Sequence, residues 1–331
     1  MVINWGILGT GRMVKRMVSA IQSSDQGNIL AIASRDKNRA HLFAQTNNIP
    51  TIHENYNHLL SDSNIDVVYI ALPNHLHKKW TIESALHEKH ILCEKPFAMD
   101  VQEATDMFSA CEKQDVITME GFMYRFNPIL TKLKELLNKN SIGELKFVNF
   151  SFSHEITKYL NDKDNYRYYR EKGGGSLYDL GIYAINFFNF LFRDKFPKIL
   201  RTNASLINSN GADLTFLATL LYNQNVICNL TSSFLFYGNY LLLSGTKGII
   251  EVNHLTSPSQ KTILIKNTKN EVIFKEVIPF FDHFKAQIDH INDCISLDQK
   301  PLIKKEETLN TINIINLLDE NLRKNNIDNI F

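Results

Sequence analysis

The chain has 331 residues, 44% of them hydrophobic and 21% charged, with a formal net charge of +1. That length exceeds a single core, so two domains are expected. The balanced charge argues against a nucleic-acid or anionic-membrane partner.

Cys93, Cys111, Cys228 and Cys294 form no CxxC pair, which speaks against a disulfide framework or a zinc site and for a reducing compartment. The first residues run straight into a strand pattern, without the basic, apolar and cleavage regions of a signal peptide. The most apolar stretch, Ile182 to Phe192, is too short to span a bilayer and carries Asn186 and Asn189. The expectation is a soluble, cytoplasmic protein.

Val2 to Leu8 reads as a buried strand ending at Gly9-Thr10-Gly11, after which Met13, Met17, Val18 and Ile21 recur at helical spacing. Strands are expected at Ile29 to Ala33, Asp66 to Leu72, Ile91 to Glu94 and Val116 to Met119. Helices are expected at Asn38 to Asn47, His75 to His87 and Val101 to Lys113. Strands alternating with helices indicate an α/β domain with a parallel, doubly wound sheet.

After Gly121 the pattern changes. Pro128 opens a helix with Ile129, Leu130, Leu133, Leu136 and Leu137 on one face, and Leu145 to Phe152 alternates as a strand. Further strands are expected at Ile199 to Leu206, Thr215 to Leu221, Val226 to Phe234, Tyr240 to Leu243, Gly248 to Val252 and Thr262 to Ile265. Short turns between them indicate a mostly antiparallel sheet, so the second domain is α+β. The chain ends in helices at Asp282 to Leu297 and Glu306 to Leu322. The division expected is 1–123 and 124–331.

Six clusters carry chemistry. Gly9, Thr10, Gly11, Arg12 and Met13 join a strand to a helix, the context in which a glycine loop cradles a dinucleotide pyrophosphate at a helix N-terminus; Val14 stands where Gly or Ala is usual. The second strand ends Ser34-Arg35-Asp36. A hydroxyl and a guanidinium beside the adenosine ribose favour NADP over NAD, while Asp36 either accepts from a ribose hydroxyl or caps the next helix.

Leu72, Pro73, Asn74, His75 and His77 follow the third strand, and Glu94-Lys95-Pro96 follows the next, both at the carboxyl edge where such sheets bind ligands. The His-x-His pair has no third ligand at suitable spacing, so no metal is expected. Glu120 emerges at the same edge, and Arg125 either binds substrate oxygens or pins the junction between domains. In the second domain Gly173, Gly174 and Gly175 form a turn with unusual dihedrals. The helix behind it sets Asp179 and Tyr183 at i and i+4, a carboxylate and a phenol fit to grip a substrate and move a proton.

Together these stretches resemble the Gfo/Idh/MocA family of NAD(P)-dependent oxidoreductases. The resemblance is carried, in the family's order, by Gly9 to Gly11, Ser34 to Asp36, Pro73 to His77, Glu94-Lys95-Pro96, Glu120 to Pro128, Gly173 to Tyr183 and Ser244 to Gly248. The inositol-dehydrogenase branch typically carries Asp and then His four residues on. Asp179 and Tyr183 look instead like the branch of dimeric dihydrodiol dehydrogenases, xylose dehydrogenases and nucleotide-sugar 3-ketoreductases.

The resemblance implies that Lys95 and Tyr183 are catalytic and that a Rossmann domain precedes an open-faced sheet, usually paired with a second subunit as a homodimer. The expected reaction is hydride transfer between nicotinamide and a secondary alcohol or ketone of a sugar or polyol. Tyr183 exchanges the proton with Lys95 lowering the phenol pKa, or Lys95 is itself the shuttle. Asp179, Arg167 and His77 are the expected substrate contacts. Gly9 to Met13, Ser34, Arg35, Leu72, Pro73, Asn74, His77, Glu94 and Lys95 are the expected cofactor contacts. Two alternatives stand beside this: a dinucleotide-binding regulator without turnover and, among enzymes, a dihydrodiol or xylose dehydrogenase as against a nucleotide-sugar ketoreductase.

Overall fold

The computed structural model describes residues 1–157, 165–193, 195–206, 210–223 and 225–327. They form two compact units, 1–126 with 282–309, and 127–281 with the chain from 310 onward.

In the first unit, β1 (Ile3–Leu8), β2 (Gly27–Ala33), β3 (Thr51–His53), β4 (Val67–Ile70), β5 (His90–Glu94) and β6 (Thr118–Gly121) form one sheet in the order β3-β2-β1-β4-β5-β6. Every pair is parallel. This is the doubly wound Rossmann order, in which the progression of the strands reverses between β1 and β4 while all of them run parallel. Strand β4 is buried along its whole length, as an apolar run covered on both faces must be. The helices are α1 (Val14–Ser23), α2 (Lys37–Asn47), α3 (Tyr56–Leu60), α4 (His77–Leu86) and α5 (Val101–Lys113). Val14 is fully buried in the first turn of α1, so the larger side chain is absorbed by the core.

Three details differ from the sequence reading. Strand β3 and helix α3 are too short, at three and five residues, to produce a periodic signal. The helix expected from His75 divides into a 3₁₀ turn, Asn74–Leu76, and α4. The helix expected at Asp282, α8 (His283–Leu297), packs in the first unit rather than the second. Its anchor is the fully buried Trp5, whose indole N–H needs an acceptor and donates to Asn292 Oδ1 at 3.0 Å.

The second unit begins with α6 (Ile129–Asn138) and β7 (Leu145–Ser153), then α7 (Ile182–Phe192). Strands β8 (Lys198–Leu206), β9 (Asp213–Tyr222), β10 (Val226–Ser233), β11 (Gly238–Gly245), β12 (Gly248–Asn253), β13 (Lys261–Asn267) and β14 (Val272–Ile278) follow. The sheet order is β14-β13-β12-β11-β7-β10-β9-β8, and of these pairs only β7 with β10 is parallel. Val148, Phe150 and Phe152 of β7 face inward, and Phe187 of α7 meets Phe150 edge-on at 5.5 Å. Helix α7 is apolar nearly all round because most of its circumference is enclosed.

Strand β14 escaped the sequence reading because it is an edge strand, with Val272, Ile273 and Val277 exposed and no buried alternating face. The last helix, α9 (Lys305–Ile327), starts in the first unit. Its later turns are tied into the second by Asn189 to Thr311 and Thr202 to Asn321, both at 2.9 Å. No described helix is long and apolar enough to cross a membrane.

Candidate active-site elements in the two units

In the first unit the carboxyl ends of β1, β2, β4 and β5 bring four of the expected segments to one sheet edge. The end of β1 is tied to both neighbours, through Gly9 N–H to Ala33 O at 2.8 Å and Ala71 N–H to Leu8 O at 3.1 Å. Gly9 has φ +105°, and a Cβ there would stand 2.7 Å from Ala71 O. Only glycine fits this turn. Helix α1 begins just beyond it with no acidic side chain in its first turn, so its N-terminal N–H groups have no built-in anion.

Beside the loop, the Thr10 and Ser34 hydroxyl oxygens lie 3.4 Å apart, and Ser34 Oγ accepts from Asp36 N–H at 3.3 Å. Asp36 caps α2, its Oδ1 accepting from Arg39 N–H at 3.0 Å. Arg39 then extends back to donate to Thr10 O at 3.5 Å. Arg35 lies beside the Tyr56 hydroxyl, whose pKa burial raises and Arg35 pulls down. Two guanidiniums therefore flank this corner. Sequence reasoning found Arg35 and missed Arg39, because nothing in its spacing shows that a side chain on α2 reaches the glycine loop.

The Lys95–Pro96 peptide bond is cis, and Lys95 is half-buried. Tyr69 donates its hydroxyl to Glu94 Oε1 at 2.6 Å. His77 does not line an open surface. It is fully buried, with Nδ1 2.8 Å from Pro96 O and Nε2 2.9 Å from Leu72 O. Burial lowers its pKa, against the pull of the two carbonyls. The expected substrate or cofactor contact is thus corrected to a tie between two loops.

Glu120 is likewise enclosed. Phe97 N–H and the Thr308 hydroxyl each donate to it at 2.9 Å, and burial pushes its carboxyl up to about 8. Arg125 pairs with Glu307 in the first turn of α9.

In the second unit the turn before α7 is built around Asp213, the first residue of β9. This buried carboxylate accepts the Ser176 hydroxyl and, at 3.0 Å, Leu177 N–H, and burial pushes it up to about 6. Gly174 and Gly175 fold back so that their N–H groups donate to Tyr169 O at 2.9 Å and Arg167 O at 3.1 Å. Residues Leu177–Gly181 form a π-helical turn, with Ile182 N–H donating to Leu177 O. The helix expected to stack Asp179 and Tyr183 one above the other is therefore widened between them.

Tyr183 is nearly buried and meets Phe152 edge-on at 5.0 Å. Asp179 accepts both arms of Arg167, at 2.6 and 3.1 Å. The two expected substrate contacts thus hold each other, in a fork geometry that fixes the carboxylate. Among the described residues no group of His, Cys, Asp and Glu is placed to hold a metal.

Residues 3–122 match a family model described as an oxidoreductase family with an NAD-binding Rossmann fold, and residues 130–251 match the Gfo/Idh/MocA C-terminal domain. D-xylose 1-dehydrogenase (NADP(+)) 2 of Haloferax volcanii is 31% identical, covering 96% of each chain. Trans-1,2-dihydrobenzene-1,2-diol dehydrogenase of Xenopus laevis is 29% identical over 92% of this chain and 93% of its own. A 3-ketoreductase from Actinomadura kijaniata, solved with NADP and TDP-benzene, has the same fold. Its TM-score is 0.90 at 24% identity, over 97% of this chain and 98% of that one.

Proposed function

We propose, from the premise that this chain belongs to the Gfo/Idh/MocA family and is an NAD(P)-dependent oxidoreductase acting on CH–OH groups, that it interconverts a secondary alcohol and a ketone of a sugar or polyol using NADP. The observation that carries the cofactor reading is the corner formed by Gly9, Ser34, Arg35 and Arg39. Gly9 admits no Cβ, the first turn of the helix beyond it has no acidic side chain, and two guanidiniums flank the corner at which a ribose phosphate would be neutralised. Those residues fit the group that the family binds. The named relatives point the same way, one being NADP-dependent and one solved with NADP.

When bound, the cofactor supplies or accepts the hydride. Gly9, Thr10, Gly11, Arg12 and Met13 hold its pyrophosphate, with Ser34, Arg35 and Arg39 at the adenosine ribose. Leu72, Pro73, Asn74 and Glu94 line its other end. Lys95 and Tyr183 are the residues assigned to the proton at the substrate oxygen, an ammonium and a phenol being groups able to donate and accept it. Asp179, held by Arg167, accepts hydrogen bonds from substrate hydroxyls.

The test is a panel of sugars, cyclitols and dihydrodiols assayed with NADP and with NAD. Turnover with at least one member, faster with NADP, is expected. Bound NADP with no turnover across the panel would instead favour a dinucleotide-binding regulator.

The chain is also proposed to act in the cytoplasm as a homodimer through the face carrying Leu200, Leu217 and Ile227, exposed on the adjacent strands β8, β9 and β10. Its four cysteines are all free and buried. Sedimentation at assay concentration should give twice the 38.1 kDa chain mass, and a monomer would contradict the pairing.

A further inference from the structure

One peptide unit beside Lys95 is held at both ends. The Pro96 carbonyl faces His77 Nδ1 at 2.8 Å, and the Phe97 N–H of the same peptide donates to Glu120 Oε1 at 2.9 Å. Both holding side chains are fully buried. Glu120 is tied a second time, by the Thr308 hydroxyl of α9, and the Nε2 of His77 faces Leu72 O just beyond β4, the single N–H of a neutral imidazole going to one of its two carbonyls. Two grips on one amide plane fix its rotation, and with it the backbone from which the lysine side chain leaves.

We propose that Glu120 is a positioning residue for Lys95, whose grip on the Pro96–Phe97 peptide sets the backbone from which the lysine side chain leaves. This rests on the assignment of Lys95 to proton handling. The groups that act on Glu120 are Lys95 after β5, Cys93 within β5, Tyr124 after β6 and Glu307 on α9. Burial and Glu307 favour the neutral acid; the two hydrogen bonds and Lys95 oppose it, leaving the carboxyl near 8. Below that pH Glu120 carries no charge and Lys95 has no competing carboxylate from it. Above it, the buried anion attracts the Lys95 ammonium, one of the charges that act on it, and competes with the reaction for it.

Glu120→Gln and Glu120→Ala separate a hold from a charge. Glutamine keeps an acceptor for Phe97 N–H, so kcat should stay within about threefold of wild type. The fall in activity above about pH 8 should disappear from its profile. Alanine leaves Phe97 N–H without that acceptor. Its kcat should drop on the order of 10²-fold, with little change in KM for the cofactor, as expected for a misplaced reacting group. Amide exchange at Phe97 should speed up in the alanine variant and not in the glutamine variant.

The proposal is overturned if Glu120→Ala keeps wild-type kcat and pH profile, if Glu120→Gln loses as much as alanine, or if the basic limb persists in glutamine. Should the alanine variant fail to fold, the glutamine profile alone decides. Lys95→Met serves as the reference. If it is inactive while the Glu120 variants behave as wild type, this inference fails and the functional reading stands; if Lys95→Met is active, the assignment of Lys95 to proton handling fails.

Discussion

Lys95→Met is expected to lower turnover by about 10²–10⁴-fold, the usual contribution of a positioned acid or base. Methionine keeps the length and most of the apolar stem of the half-buried side chain and deletes the ammonium, so folding should be intact. Tyr183→Phe is the matching deletion. The ring keeps its edge contact with Phe152 at 5.0 Å and only the hydroxyl is lost, so a fall of the same order is expected. The check is steady-state kcat on a verified substrate, with circular dichroism showing wild-type structure. If both variants retain near-wild-type turnover, the proton is handled elsewhere and the assignment of both residues is wrong. If only one does, the surviving loss names the proton-transfer group.

Gly175→Ala is expected to destabilise the second unit by about 3–5 kcal/mol, combining strain in a left-handed backbone with a steric clash. Gly175 has φ +103°, and its Cβ would stand 2.2 Å from Asp213 Oδ1. Asp213 has little freedom to retreat, since it holds Ser176 and Leu177 at the start of the π-helical turn that carries Asp179. Gly211 supplies the comparison. It also has positive φ, at +71°, but the nearest atom to its Cβ would be 3.5 Å away on the flexible Arg170 side chain. Alanine there meets strain without the clash and should cost about 1–2 kcal/mol. In thermal melts Gly175→Ala should fall by about 10 °C and Gly211→Ala by clearly less. Equal shifts would mean that the Asp213 clamp does not constrain the turn as described.

How far the sequence foretold the fold depends on the kind of signal. The parallel sheet was legible because its strands are apolar runs separated by amphipathic helices, and α5 runs over the expected Val101–Lys113, with Asp100 capping its start. Strand β7 was legible from its alternation. Periodicity reports that a face is buried, not what it is buried against. Nothing near Trp5 reveals that its indole N–H is met by Asn292, 287 residues on, and so α8 was placed with the wrong neighbours.

The candidate site divides along the same line. Gly9 and Gly11 were found because a strand, a glycine pair and a helix stand in local order. His77 was found by position but misread. Its neighbours suggested an open crevice, whereas both ring nitrogens face backbone carbonyls inside the first unit. Asp213 and Thr308 were missed because each acts through the fold on a segment distant in sequence: Asp213 on Ser176, Thr308 on Glu120. The pairing of Arg167 with Asp179 was also hidden, since spacing placed both near substrate without showing that they bind each other.

The central claim is hydride transfer between a substrate carbinol carbon and the nicotinamide. The most direct measurement uses a substrate from the panel with deuterium on that carbon and follows the label by NMR of the recovered NADPH. Deuterium at nicotinamide C4, on a single face, is the result predicted here. Label released to water, or retained in the substrate while NADP stays oxidised, would contradict it.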